Sequence, residues 1–198
     1  MKIFDAAIAL VVVTTLALTW SGRDTKTSTP IAGSSPAAAA PTIQDELAAF
    51  RSGMTAPRST FAGPPSRDSL VRLFERALAR RDTATLSRLE LTREEFAYLY
   101  YPDSKMSRPP YELGPDMMWM QIQSQSNRGL QRLLANYGGR SLGIRALDCQ
   151  PPDRENAVLI HQCGVRTKGA PDTTVTQLFG SIIERDGRFK FVGYANRL

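Results

Sequence analysis

Apolar positions along the chain change their spacing twice, and each change marks a change of structure. The first stretch, residues 6–20, carries no charge at all. Residues 69–80 then place Leu70, Leu73, Phe74, Ala77 and Leu78 on one face at three-four spacing, with Arg72, Glu75, Arg76 and Arg80 opposite. That spacing predicts an amphipathic helix, which Ser66 or Asp68 can cap. A shorter pattern, Ile43, Leu47 and Phe50, predicts a short helix upstream. Residues 82–88 allow one or two further helical turns. Thr92 and Glu95 fit a capping box, and Leu91 with Phe96 fit a hydrophobic staple, so a helix is expected over 93–101, stopping at Pro102. The longest helix is expected from Gly114-Pro115-Asp116 to about Tyr137, where Gly138-Gly139 stops it. Its inward stripe is Met118, Ile122, Ser126, Gly129, Leu133 and Tyr137. Ser126 and Gly129 bring almost no apolar side chain to that stripe. Either another element approaches closely there or a hollow opens beside the helix.

Beyond residue 140 the period falls to two, and four strands are expected at about 141–148, 156–166, 173–184 and 188–194. Asp186-Gly187 between two apolar runs is a strong two-residue hairpin signal. In its register Ile182 opposes Phe191 and Ile183 opposes Lys190. One face should then carry Leu178, Ile182, Phe189 and Phe191, the other Phe179, Ile183, Val192 and Tyr194. With both faces apolar, both need covering. The helices can cover one, and a second copy of the chain, as a homodimer through the sheet, can cover the other.

The uncharged run at the start, behind Lys2, lies between the length of a signal-peptide core and that of a membrane span. A cleaved signal, an uncleaved signal anchor and a buried helix all fit, and the first two place the rest of the chain outside the cytoplasm. From there to residue 42, Ser, Thr, Pro, Ala and Gly dominate, a composition with too little large apolar surface to offset the entropy of ordering. The expected organisation is a signal peptide or signal anchor at 1–21, a disordered linker at 22–42, a short helix and loop at 43–65, and an α+β domain at 66–198. The expected location is extracytoplasmic: periplasmic or at the cell surface, anchored in the inner membrane or secreted.

Charge adds little. Among 198 residues there are 25 Lys and Arg against 19 Asp and Glu, a net charge of +6. The basic residues, mostly Arg, are scattered, without the run or module that nucleic-acid binding calls for. The Arg row on the 69–80 helix reads as a solvated face or a partner surface. The two cysteines, Cys149 and Cys163, suggest a disulfide in an exported chain. A tight hairpin turning at Asp153-Arg154 would hold them about 17 Å apart. The bond therefore asks for a wide, irregular loop through Pro151-Pro152. His161, the one histidine, sits on a strand with Leu159, Cys163 and Val165 on its side. A structural histidine and a general acid-base are both open, with Asp148 or Glu112 as candidate partners. One His and two Cys make no convincing zinc set, and no motif calls for a cofactor. Tyr98, Tyr101, Tyr111, Trp119, Gln123, Ser126 and His161 are the candidate pocket residues, and a plain aromatic core is the alternative.

Helices first, the longest helix just before an antiparallel meander, and a closing segment Ile182-Ile183-Glu184-Arg185-Asp186-Gly187-Arg188-Phe189-Lys190-Phe191-Val192 together resemble the NTF2-like, cone-shaped α+β fold over residues 66–198. The family usually carries a short hairpin between its second and third helices, where this chain has the irregular, Pro109-Pro110-bearing stretch 102–113. The resemblance implies N-terminal helices packed on a four-stranded meander, with a pocket between the long helix and a curved sheet. The leading expectation is a non-catalytic binding domain for a small apolar ligand or a protein partner. The alternative is a small enzyme of the ketosteroid isomerase or polyketide cyclase type, which needs a buried carboxyl of raised pKa beside a hydrogen-bond donor.

Overall fold

Capping chemistry sets the helix boundaries. A computed structural model describes residues 40–171 and 173–196. The expected segment 1–21 and nearly all of the linker 22–42 lie outside them. Among the described residues no helix is long and apolar enough to cross a membrane. Helix α1, Ile43–Phe50, opens on a Thr42–Asp45 capping box. Ser66, not Asp68, caps α2, Arg67–Ala79, with Ser69 returning the second bond of the box. Asp82 caps α3, Thr83–Leu89. The Thr92–Glu95 box starts α4, Arg93–Glu95. The chain then departs from the expected single helix. Phe96–Tyr100 form a π-turn and Tyr101–Asp103 a 3-10 turn. A π-turn widens the spiral and leaves carbonyls off the regular ladder. Arginines meet them here: Arg51 donates to the Ala97 carbonyl at 2.7 Å and Arg185 to that of Leu99 at 2.8 Å. Helix α5 runs Pro115–Tyr137 between Gly114 and Gly138.

The strand half is antiparallel but is not one meander of four long strands. A two-stranded sheet pairs β1, Ile144–Cys149, with β4, Cys163–Thr167. A four-stranded sheet runs in the order β2, Asp153–Glu155; β3, Val158–His161; β5, Ile182–Arg185; β6, Arg188–Phe191. The strand expected at 156–166 is broken at Gln162, and its two parts join different sheets. The strand expected at 173–184 is regular only from Ile182, apart from a lone bridge of Thr176 to Val165. The closing hairpin holds the expected register, Ile182 against Phe191 and Ile183 against Lys190. Asp186 and Gly187 both have positive φ, 50° and 69°, as a type I′ turn requires.

Between β2 and β3 the chain turns at Asn156-Ala157, three residues later than the tight hairpin at Asp153-Arg154. Asn tolerates the left-handed backbone found there, φ 51°. The delay brings Cys149 directly opposite Cys163, Cα atoms 4.1 Å apart and the sulfurs at bonding distance, 2.10 Å. The bond thus crosses a paired ladder and needs no wide loop.

Two buried clusters lie on the faces of the four-stranded sheet. The first gathers Leu70, Phe74, Leu78 and Leu86 from α2 and α3, Leu133 from α5, and Ile182, Phe189 and Phe191 from the hairpin. Phe179 and Tyr194 belong to it too, against the expected face, because both lie outside the paired strands, where alternation no longer holds. The second gathers Leu47 and Phe50 from α1, Phe61, Leu91, Phe96, Tyr101, Met118, Val158, Ile160 and Ile183. Leu47, Phe50 and Phe61 of the 43–65 segment thus join the core, packed on the sheet face that a second copy was expected to cover. Beside α5 the close approach is found, not the hollow. A Cβ on Gly129 would collide with the Tyr194 carbonyl oxygen, and one on Gly193 would come within 2.9 Å of the Ser126 Cβ.

Candidate functional site

The seven expected pocket residues do not converge on a pocket. Tyr101 is fully buried, and its hydroxyl donates to the Leu113 carbonyl at 2.7 Å. Tyr98 lies under the Arg51 guanidinium, 4.4 Å from its ring centre. Trp119 packs on Phe96 at 5.2 Å. Gln123 is half-buried on α5, and Tyr111 is 58% exposed in the loop before it. Ser126 and His161 are buried in different places, each inside its own hydrogen-bond network. Clefts of 130 to 510 Å³ open elsewhere on the surface, and none of these is lined by any of the seven.

What the structure gathers instead is polar chemistry around β6. Lys190 points to the same face as Ile183, into the second core, where only 2% of it is exposed. Its ammonium donates to the Glu95 carboxylate at 2.9 Å and to the Glu90 carbonyl at 2.8 Å. Glu95 is just as buried. It also accepts the Ala62 amide at 2.6 Å and the Thr92 amide at 3.0 Å. A buried charge survives only when paired and fully hydrogen-bonded, and both conditions are met. The same carboxylate therefore caps α4, pins the 57–65 loop and neutralises Lys190. Phe189 completes the seam by donating its amide to the Pro64 carbonyl.

Beside this pair lies Glu90, whose carboxyl is pushed up to about 7. Burial is the main cause, opposed by the hydroxyl of Ser126, 2.9 Å away, and by the charge of Lys190. Ser126 in turn accepts the Tyr194 amide at 2.8 Å, and the Tyr194 hydroxyl donates to the Leu86 carbonyl. Burial raises the Tyr194 phenol well above its ordinary range. A carboxyl near neutrality beside a hydroxyl resembles an acid-base pair. Yet Ser126 is 1% exposed, and its oxygen is already used as donor and acceptor.

His161 meets neither expected partner. Its Nε2 lies 2.8 Å from Glu184, the residue diagonal to it on β5, and Nδ1 faces Arg67 at 3.4 Å. Asp148 pairs with Arg166 across β1 and β4. In its ionised form Glu184 can only accept at Nε2, and the Arg67 guanidinium can only donate toward Nδ1. Both nitrogens are engaged and the residue is 4% exposed, so no substrate can reach it without local opening.

Sequence reasoning passed over Lys190, Glu95 as an ion-pair member, Glu90, Glu184 and Arg67. One signal was present. The alternation of Phe189, Lys190 and Phe191, with Ile183 opposite, already points a lysine inward, and an inward lysine requires an acid.

These elements define an α+β domain with antiparallel sheets, two sealed cores and a buried ionic seam between layers. Compared with protein-family models, with curated proteins and with solved structures, the chain finds no match.

Proposed function

We propose that this chain is a non-catalytic interaction module that works outside the cytoplasm, tethered to a membrane or secreted, and binds a protein partner through its surface. The sealed interior carries the reading. Among the described residues no buried side-chain nitrogen or oxygen lacks a partner, and two of the aromatic side chains expected to line a pocket, Tyr101 and Trp119, pack on Phe96 instead. A small apolar ligand needs an enclosed site of several hundred Å³ with a few free polar groups aimed inward. The cross-strand Cys149–Cys163 pair suits an oxidising compartment. We read the arrangement as a filled variant of the NTF2-like cone. The long helix ahead of the strands and the closing hairpin support that reading.

The test is fractionation of cells producing the full chain, with thiol alkylation before and after reduction. The chain is expected in the exported or membrane fraction, with both cysteines alkylated only after reduction. Recovery from the cytosol with two reactive thiols overturns the reading. A second reading, an enzyme of the ketosteroid isomerase type, is favoured by one observation, the raised carboxyl of Glu90 hydrogen-bonded by Ser126. It requires turnover of an enolisable ketone that disappears in Glu90→Gln, while the fold stays intact.

A further inference from the structure

The arginines of this chain fall into two groups. Most are tied down: Arg51 to a carbonyl, Arg67 to His161, Arg132 to Asn196, Arg185 to Asp103. A second group has no hydrogen-bond or ion-pair partner among the described residues, and most of it lies in one region. Arg72, Arg76 and Arg80 stand at every fourth position on the outer face of α2, all exposed. At a rise of about 1.5 Å per residue they form a row roughly 12 Å long. Exposed Arg81 and Arg140 extend it where the ends of α2 and α5 meet. There the Gly139 amide donates to the Leu78 carbonyl, and Arg81 lies against Gly138 and Gly139.

The acidic groups nearby are differently engaged. Glu75 is turned to the Ser141 hydroxyl and the Ile144 amide. Asp82 caps α3 through the Thr85 amide and hydroxyl, and Arg80 and Arg88 lower its carboxyl only as lesser effects. Asp68 is exposed in the first turn of α2, at the far end of the row. Five arginines are thus exposed in this region, while Glu75 and Asp82 are held in local structure and Asp68 alone stands exposed at the end of the row.

We propose that this face of α2, with Arg81 and Arg140, docks on the anionic phospholipid surface of the membrane that holds the chain. The inference rests on the tethered form of the function proposed above. Two observations select the occupant. The uncharged apolar run at 6–20 is followed by a linker of about 20 residues. In the tethered form, a flexible linker of that length limits the reach to about 25 Å. The face itself has an excess of positive charge and no exposed large apolar residue. It suits attraction to phosphate headgroups rather than insertion between acyl chains.

The test is NMR of the full chain in lipid nanodiscs that carry a gadolinium headgroup label. Discs of phosphatidylcholine are compared with discs in which a third of the lipid is phosphatidylglycerol. In anionic discs at about 0.1 M salt, amides of 67–81 should relax at least twofold faster than those of the 185–188 turn. The gradient should vanish in the triple variant Arg72→Gln, Arg76→Gln, Arg80→Gln, whose unchanged melting temperature reports an intact fold. It should also fade at 1 M salt, where the screening length falls to about 3 Å. Equal relaxation of both regions in anionic discs overturns the proposal, and so does the same gradient in zwitterionic discs. A soluble polyanion that shifts the α2 resonances when anionic discs leave them unmoved reassigns the face to an acidic macromolecule. A chain that enters neither disc defeats the tethered reading and this one together. A chain that enters without a gradient defeats this one alone.

Discussion

The two faces of the four-stranded sheet are closed by different physics. On one, Phe74 sits among Phe179, Phe191 and Tyr194, ring centres 5.6 to 5.7 Å away, and the seal is shape and dispersion. On the other, an apolar cluster that includes Phe50, Phe96 and Tyr101 is joined by a buried lysine-glutamate pair that ties β6 to α4 and to the 57–65 loop. An apolar seal is tolerant in partner and strict in volume, whereas an ionic seal is strict in partner. The polar face therefore fixes which segments meet, and the apolar face supplies much of the driving force.

The largest effect should come from breaking the ionic face on one side only. Lys190→Met leaves the Glu95 carboxylate buried without its counter-charge and should cost about 4 to 5 kcal/mol by denaturant titration. Adding Glu95→Gln should return about 1 kcal/mol or more, since the stranded charge is gone. A double variant weaker than the single would show that capping by Glu95, not charge pairing, dominates. On the apolar face, Phe74→Ala should cost about 3 to 4 kcal/mol through lost burial and a cavity. No single polar change elsewhere should rescue it. Equal rescue on both faces would erase the distinction.

The disulfide tests a third mode of closure, away from either face. Replacing both Cys149 and Cys163 by Ala should lower stability by about 3 kcal/mol, because the bond closes a loop with a separation of 14 residues. The loss should be absent when wild type is measured fully reduced. A cost under about 1 kcal/mol would mean that the β1–β4 ladder already holds the loop closed in the unfolded ensemble.

How much of this the sequence disclosed depends on the range of the interaction. The capping box at Thr92, a cap at Ser66 (one of the two candidates), the glycine stop after Tyr137 and the Asp186-Gly187 turn act within a few residues, and each is found in place. The small stripe residues Ser126 and Gly129 pointed to a close approach or a hollow, but not to Tyr194 as the approaching segment. What stayed hidden is set by distant partners. The π-turn at Phe96–Tyr100 is completed by Arg51 and Arg185, which no local pattern connects to it. The turn at Asn156-Ala157 lacks glycine, while Pro151-Pro152 upstream draws attention to the wrong place. The surroundings of the candidate pocket residues stayed hidden for a related reason. Aromatic residues at helical spacing look alike whether they line a space or fill one, and only the neighbours from α1 and the strands decide it.

The smallest effect concerns Glu90, at the border of the two faces, where Ser126, Lys190 and Tyr194 surround its carboxyl. Burial raises that carboxyl from 4.5 to about 7, so folding favours its protonated form. The native state then binds more protons than the unfolded state between those two values. The stabilisation is complete below about pH 4.5, declines as pH rises, and is gone once pH passes about 7. The gap sets a ceiling of about 3 kcal/mol, and the carboxyl's partial contact with water reduces the expected loss to about 2 kcal/mol. Glu90→Gln keeps an acceptor for Ser126 and cannot ionise. It should match wild type near pH 4.5 and exceed it by about 2 kcal/mol at pH 8. Parallel stability curves for the two proteins across that range would show that Glu90 ionises freely, and that water already reaches the seam between the layers.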